Sequence, residues 1–265
     1  MRAYLVGLMA GVIGGLGSGA ALAQTAPAVD WSGFQIGGGL GMAVGRSHVQ
    51  TTAAASTGTT YFTSTDFDQL AESGDGNLKK LRPSGGLELG YNRQFGNIVL
   101  GLVASGNSLA IDESRSAGQV YLTLPTDSFT VEQRVKAGWQ ATLRPKLGWA
   151  KDNWLAYVTG GLAVTRATLD ATFRDTATFG GVTGARGQSS TSETMLGWAL
   201  GLGGEYALDS HWSLTGNYLF ADFGKLSTSS VLRHAGVGLS NSLNSTADLR
   251  THTVLLGVAY RFNRL

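Results

Sequence analysis

Eight charged side chains fall on the otherwise small or polar parity of alternating segments. They are Glu88, Glu132, Arg134, Lys136, Arg144, Lys146, Glu205 and Arg261. Each alternates with an apolar neighbour, so each is expected to turn inward while the apolar side chains turn outward. Charges pointing into a narrow interior are costly unless they find partners across it. Two functions suit such a network: a gate on a narrow conduction path, or a plug of ion pairs. The plug is favoured, because an aqueous channel is a property of much larger barrels.

Other chemistry-bearing residues give weaker signals. Four His, at 48, 211, 234 and 252, show no H-x-x-x-H spacing, and with no Cys in the chain no metal or cofactor site is expected. His48 and His234 fall in long polar segments where a haem or metal could be held, and solvated imidazoles are the plainer reading. A hydroxyl nucleophile with a His and a carboxylate can be imagined from Ser227, His252 and Asp222 or Asp248. Composition does not identify such a constellation, so no enzyme is expected. The run Gly37-Gly38-Gly39-Leu40-Gly41 lacks the preceding strand and following helix that a dinucleotide loop requires, and small residues lining a narrow barrel account for it better.

These residues are positioned by strands. Phe34, Ile36, Leu40, Met42 and Val44 share one parity; Val131, Val135, Ala137, Trp139, Ala141, Leu143, Leu147 and Trp149 another; Leu196, Trp198, Leu200, Leu202 and Tyr206 a third; Val254, Leu256, Val258, Tyr260 and Phe262 a fourth. Weaker versions at 87–91, 98–111, 154–172 and 212–220 bring the candidates to eight. The faces of the strands at Ile98 and Trp154 are ambiguous, with Gly160-Gly161 interrupting the latter. Pro145 lacks an N–H inside a convincing strand, which predicts a bulge nearby. Short turns at Phe95-Gly96-Asn97, Lys151-Asp152-Asn153 and Asp209-Ser210-His211 alternate with long polar segments at 49–81, 114–130, 175–192 and 227–247. Short and long connections in turn are how an eight-stranded antiparallel transmembrane β-barrel is built, with short periplasmic turns and four long extracellular loops. Trp149, Trp154, Tyr206, Trp212, Tyr260 and Phe262 cluster near the short-turn ends, where a membrane-interface girdle would lie. A soluble β-sandwich would alternate too, but would scatter charges over its outer face.

Composition sets the compartment. Arg2 precedes an uncharged, mostly apolar run from Ala3 to Leu22 that ends in Ala21-Leu22-Ala23, so residues 1–23 read as a signal peptide, 24–33 as a short periplasmic lead and 34–265 as the barrel. No later segment is long and apolar enough for a membrane helix, which leaves only a closed barrel to cross lipid. A net charge of +2 offers no footprint for nucleic acid. The 39 Gly, with charged residues only 14% of the chain, fit a cramped barrel, and six Trp, eight Tyr and ten Phe argue against disorder.

Four segments carry a family resemblance: Trp31 to Gly41 (WSGFQIGGGLG), Leu143 to Ala150 (LRPKLGWA), Tyr218 to Gly224 (YLFADFG) and His252 to Phe262 (HTVLLGVAYRF). In this order and spacing the chain resembles the OmpA-like, opacity-type outer-membrane surface-antigen family, the small porin-like proteins of alphaproteobacteria. The resemblance implies an outer-membrane location, contact with membrane lipid and lipopolysaccharide, and handling by the barrel-assembly machinery. That machinery reads a terminal aromatic in this family, whereas here Asn263-Arg264-Leu265 follow Phe262. Haemin-binding relatives make a haem-binding or adhesive role for the loops an analogy, with host or ligand contact through 49–81, 114–130, 175–192 and 227–247. The expected function is thus a structural surface antigen with a plugged lumen; the alternatives are a small-solute porin and loop-mediated haem binding or adhesion.

Overall fold

A computed structural model describes residues 29–55 and 60–262. The signal-peptide segment with its Ala21-Leu22-Ala23 pattern, and the Asn263-Arg264-Leu265 extension, lie outside the described residues.

Strand β1 (Gly33–Ala55) is followed by helix α1 (Ser64–Gly74), then by strands β2 (Gly76–Phe95), β3 (Ile98–Val120), β4 (Ser128–Lys151) and β5 (Trp154–Asp175). A two-strand hairpin, β6 (Thr178–Phe179) and β7 (Val182–Thr183), leads to β8 (Arg186–Ala207), β9 (Trp212–Arg233) and β10 (Ser240–Phe262). Each long strand pairs antiparallel with its neighbours and β1 pairs β10 from Phe34↔Phe262 to Ala55↔Asn241, so eight strands form a closed barrel, although β2 pairs β3 only from Gly86↔Asn107 to Phe95↔Ile98 and β8 pairs β9 mainly from Trp198↔Asp222 to Ala207↔Ser213.

The alternation explains the strands. Along β1, Phe34, Ile36, Leu40 and Met42 are exposed on the outer wall, Leu40 by 77%, while Ala43, Val49 and the Gln35 amide are buried inside. The outward apolar stretch from Phe34 to Val44 has the ~9–11 residues that a tilted strand needs to cross a bilayer. The turns use the expected residues. Gly96 (φ 59°) and Asp152 (φ 53°) adopt left-handed backbone in two of them. In the third, Asp209 accepts N–H bonds from His211 and Trp212, both at 2.7 Å. Those backbone donors, Trp212 first, hold the Asp209 carboxyl below the usual carboxylate range.

Three expectations need correction. The segments 49–81, 114–130, 175–192 and 227–247 are long connections in which much of the chain is strand: β1 runs to Ala55, β3 to Val120, β5 to Asp175 and β9 to Arg233. Their Ser and Thr look like loop residues, but the ladder continues beyond the apolar band because a wall wetted outside needs only its inner side chains to be buried. The bulge expected at Pro145 is absent there, since β3 and β4 keep one register from Ile98↔Trp149 to Ser108↔Trp139. The register with both neighbours shifts instead at Gly138-Trp139, and the alternation of β4 inverts there. Finally, Gly160-Gly161 does not interrupt β5. A Cβ at Gly161 would meet the Leu143 carbonyl oxygen at 2.3 Å, so glycine lets β5 approach β4 beside Pro145.

Candidate functional site

The interior is built in layers from the short-turn end upward. At the bottom sits Trp31, contributed by the lead before β1 and 0% exposed. Its backbone N–H donates to Gln94 Oε1 at 2.7 Å, and the Arg261 guanidinium lies 4.3 Å from its ring centroid. Arg261 also donates to the Asp30 carbonyl (2.9 Å) and to Ser213 Oγ (3.1 Å). Val99, Ala150, Leu155, Tyr157 and Ala207 complete this floor.

Above it, Lys146 Nζ stands 2.6 Å from Glu205 Oε1, both side chains essentially inaccessible. Gln35 donates to Glu205 Oε2 (2.8 Å), Asn92 donates to Gln35 (3.1 Å), and the ammonium lies 3.9 Å from the Tyr157 ring centroid. The Tyr157 hydroxyl donates in turn to Asn217. One turn of the wall higher, Arg144 donates to Thr142 Oγ1 (2.9 Å), Thr159 Oγ1 (2.8 Å) and Ser105 Oγ (3.3 Å), with Glu88 Oε2 at 3.7 Å. A cavity of about 40 Å³ beside Glu88, Asn107 and Arg144 has room for water-sized molecules only.

The upper interior is not the charged plug that the sequence suggests. Past Gln140, which accepts from Thr251 at 2.8 Å, the barrel is filled by Leu109, Ile111, Val135, Leu169, Met195, Leu219, Phe223 and Leu249. At the far mouth Phe62, Leu70, Tyr121, Phe129, Phe173, Leu232 and Leu243 form a second apolar cluster under α1. Here Tyr61 and Tyr121 both donate to Asp175 Oδ2, at 2.7 and 2.9 Å. Burial first, and the Asp175 carboxylate after it, push both phenols far above their ordinary range. A capping box starts the helix: the Asp66 carboxylate accepts from the Thr63 N–H, and Thr63 Oγ1 accepts from the Asp66 N–H.

Of the eight charges expected inside, Glu88, Arg144, Lys146, Glu205 and Arg261 face the lumen. Glu132, Arg134 and Lys136 do not, because they lie beyond the inversion at Gly138-Trp139. Arg134 instead grips Asp112 with two bonds of 2.6 and 2.5 Å on the outer wall, and Lys136 pairs with Asp170 at 3.2 Å. The imagined triad does not assemble. His252 Nδ1 lies against the Tyr218 hydroxyl, Asp222 holds Arg250, and Asp248 accepts the His48 N–H. His234 is buried between the rings of Tyr61 and Phe179, and His48 sits on the outer wall beside Asp75. Among the described residues no group of His, Cys, Asp and Glu is placed to hold a metal.

A closed ring with a greasy outer wall has one established setting, and the sequence comparisons agree with it. The family model for the outer membrane protein beta-barrel domain matches residues 13–262. The chain belongs to this family of outer-membrane β-barrel proteins. It is 30% identical over 180 residues to the 31 kDa outer-membrane immunogenic protein of Brucella melitensis, and equally to that of Brucella suis; the match takes in 67% of this chain and 65% of theirs, a little under two thirds of the relatives' length. Among solved structures it is similar to OprG of Pseudomonas aeruginosa (15% identity, 88% of this chain and 97% of that one, TM-score 0.44). It is also similar to the Neisserial surface protein A (13% identity, 87% and 98%, TM-score 0.37).

In an outer-membrane barrel of this family the outward apolar band faces lipid. The six aromatics Trp149, Trp154, Tyr206, Trp212, Tyr260 and Phe262 all lie on the outer wall at the short-turn end. Trp154 packs on Tyr206 (4.7 Å) and Tyr260 on both Trp212 (5.1 Å) and Phe262 (5.0 Å). Phe34 and Tyr91, 4.9 Å apart, extend the row. Sequence reasoning passed over Trp31, α1 and the Asp175 cluster. A Trp just ahead of the first strand and the T-x-x-D pattern at Thr63 were the available signals.

Proposed function

We propose that this outer-membrane barrel is a closed structural element of the envelope that displays a folded surface, a surface antigen and not a conduit. The observation that carries this reading is the filled lumen: Trp31 at one mouth, the α1 cluster at the other, and side chains packed between them. The aromatic row supports a membrane interface at the short-turn end, with the long strands projecting outward on the other side. The curated relatives are described as immunogenic outer-membrane proteins, in keeping with surface display. Export by way of a signal peptide cleaved after Ala23, insertion by the barrel-assembly machinery, and contact with membrane lipid and lipopolysaccharide belong to the same reading.

Small-solute conduction and haem binding fare less well. The tightly filled, mainly apolar block between Gln140 and Gln133, with Glu113 and Ser47 as buried polar members, leaves a solute little room to pass, and His234 is enclosed by aromatic rings. Conductance decides between closed barrel and porin. Folded protein in a planar bilayer is expected to give no steady single-channel current, whereas large, long-lived openings would refute the closed reading. Removing the floor with Trp31→Ala should produce brief, small openings at most, because the ionic layer and the apolar block above it remain.

A further inference from the structure

Two groups of cations beside the apolar band of the outer wall are treated very differently, while a third row, Arg174, Arg186 and Arg233, stands higher at the rim. On β3, β4 and β5, Arg134 and Lys136 are matched by Asp112 and Asp170. On the opposite side, Arg46 of β1 stands directly across from Lys79 of β2 and from Arg250 of β10, three positive charges in a row on adjacent strands. Like charges opposed in this way destabilise a sheet. Arg250 has one partner, Asp222 Oδ2 at 2.9 Å. Asp248, the carboxylate within the same hollow, is engaged by the His48 N–H at 2.6 Å. Among the described residues neither Arg46 nor Lys79 has a carboxylate within ion-pair distance, and the hollow they line with Arg250 and His252 measures about 500 Å³.

The row sits just past the end of the apolar band, where Val44 pairs Leu81 and His252. Below it, on the same strands, the lipid-facing wall is dented. Gly38, Gly85 and Gly106 floor a groove of about 600 Å³ walled by Leu40, Leu87 and Leu256. An anionic head above and a hydrocarbon slot below are the two halves of one ligand chemistry.

We propose that the outer wall of β1, β2 and β10 is a binding site for a phosphorylated lipid of the outer leaflet. Arg46, Lys79 and Arg250 hold its phosphate, and an acyl chain lies in the glycine-floored groove. The guanidinium forks suit phosphate oxygens bidentately, and basic clusters at a membrane boundary recognise phosphorylated headgroups in this way. The site rests on the reading that the long strands project on the outer side, which fractionation and surface proteolysis check separately from lipid binding.

Native mass spectrometry of the detergent-extracted full barrel, titrated with diphosphoryl lipid A, tests it. Phosphatidylcholine and inorganic phosphate serve as comparison probes, and heat-dependent gel mobility shows that each variant is folded. Lipid A is expected to remain bound to the wild type and to the R134Q/K136Q variant, and to bind roughly ten-fold more weakly to R46Q/K79Q. Gly106→Leu, whose new side chain meets open space, should weaken lipid binding by filling the groove. Equal retention by R46Q/K79Q and wild type would overturn the site, as would equal loss in R134Q/K136Q. Displacement of the lipid by an equal concentration of inorganic phosphate, or unchanged binding by Gly106→Leu, would overturn the assignment to a lipid.

Discussion

At the scale of single residues, the most consequential contact is Lys146 with Glu205. Both charges are withdrawn from water, and each is held by a neutral shell: Gln35 on the carboxylate and the Tyr157 ring on the ammonium. Such a pair contributes little against a well-packed apolar replacement, yet breaking it strands a buried charge at a cost of about 3–5 kcal/mol. Lys146→Met and Glu205→Leu alone should each lower the unfolding free energy of the barrel, extrapolated from urea titration in detergent, by that order. The double variant should recover most of the loss, and additive losses would show that the pair does not act as a unit. Five of the eight charges could be placed in the lumen from alternation alone, because β2, β8, β10 and the lower part of β4 keep one phase. Glu132, Arg134 and Lys136 could not, since nothing in Gly138-Trp139 announces that the phase inverts, whereas Pro145, which does look disruptive, merely presents its missing N–H where β5 carries Gly160-Gly161.

At the scale of elements, α1 closes the far mouth and is locked there by polar contacts. Gln69 donates to the Val120 carbonyl (3.0 Å) and accepts from the Leu122 N–H (3.0 Å), while Thr123 donates to Asp66 (2.9 Å). The adjoining phenols of Tyr61 and Tyr121 supply a pH dependence with a definite sign. A free tyrosine ionises near pH 10, and both phenols are held protonated well beyond that when folded, so the folded cap binds more protons than the opened one. Their stabilising contribution is therefore complete below about pH 10 and fades as pH climbs from there toward the raised folded values. Proteolytic nicking in 60–75 should be slow and flat up to about pH 9 and rise above about pH 10. Asp175→Asn, which removes the shared acceptor charge, should speed nicking at neutral pH. A rate unchanged across the alkaline range would mean that the phenols do not hold the cap. The helix was hard to read because its residues are mostly polar and its one clear signature, Thr63-x-x-Asp66, lies inside a stretch that otherwise resembles a loop.

For the whole molecule, the barrel itself was legible, since outward Leu, Val and aromatic side chains at every second position leave a closed ring as the arrangement that pairs all backbone groups in lipid. Its height was not. Strands of 20 to 24 residues are about twice what a bilayer requires, and the excess is written in Ser, Thr and Asn, which serve equally in a loop or on a strand wetted on one side. What decides between them is the hidden inner series Val131, Leu169, Leu232 and Leu243, spaced across different strands and meeting only after the ring has closed.

That surplus height changes what an immune system would meet. On the proposed orientation an antibody meets a surface built largely of strand residues that lie far apart in the chain. Its epitopes should accordingly be conformational. Sera raised against intact cells are expected to bind the native barrel and lose most of that binding once it is boiled, while sera against a synthetic 227–247 peptide should show the reverse preference in the same immunoassay.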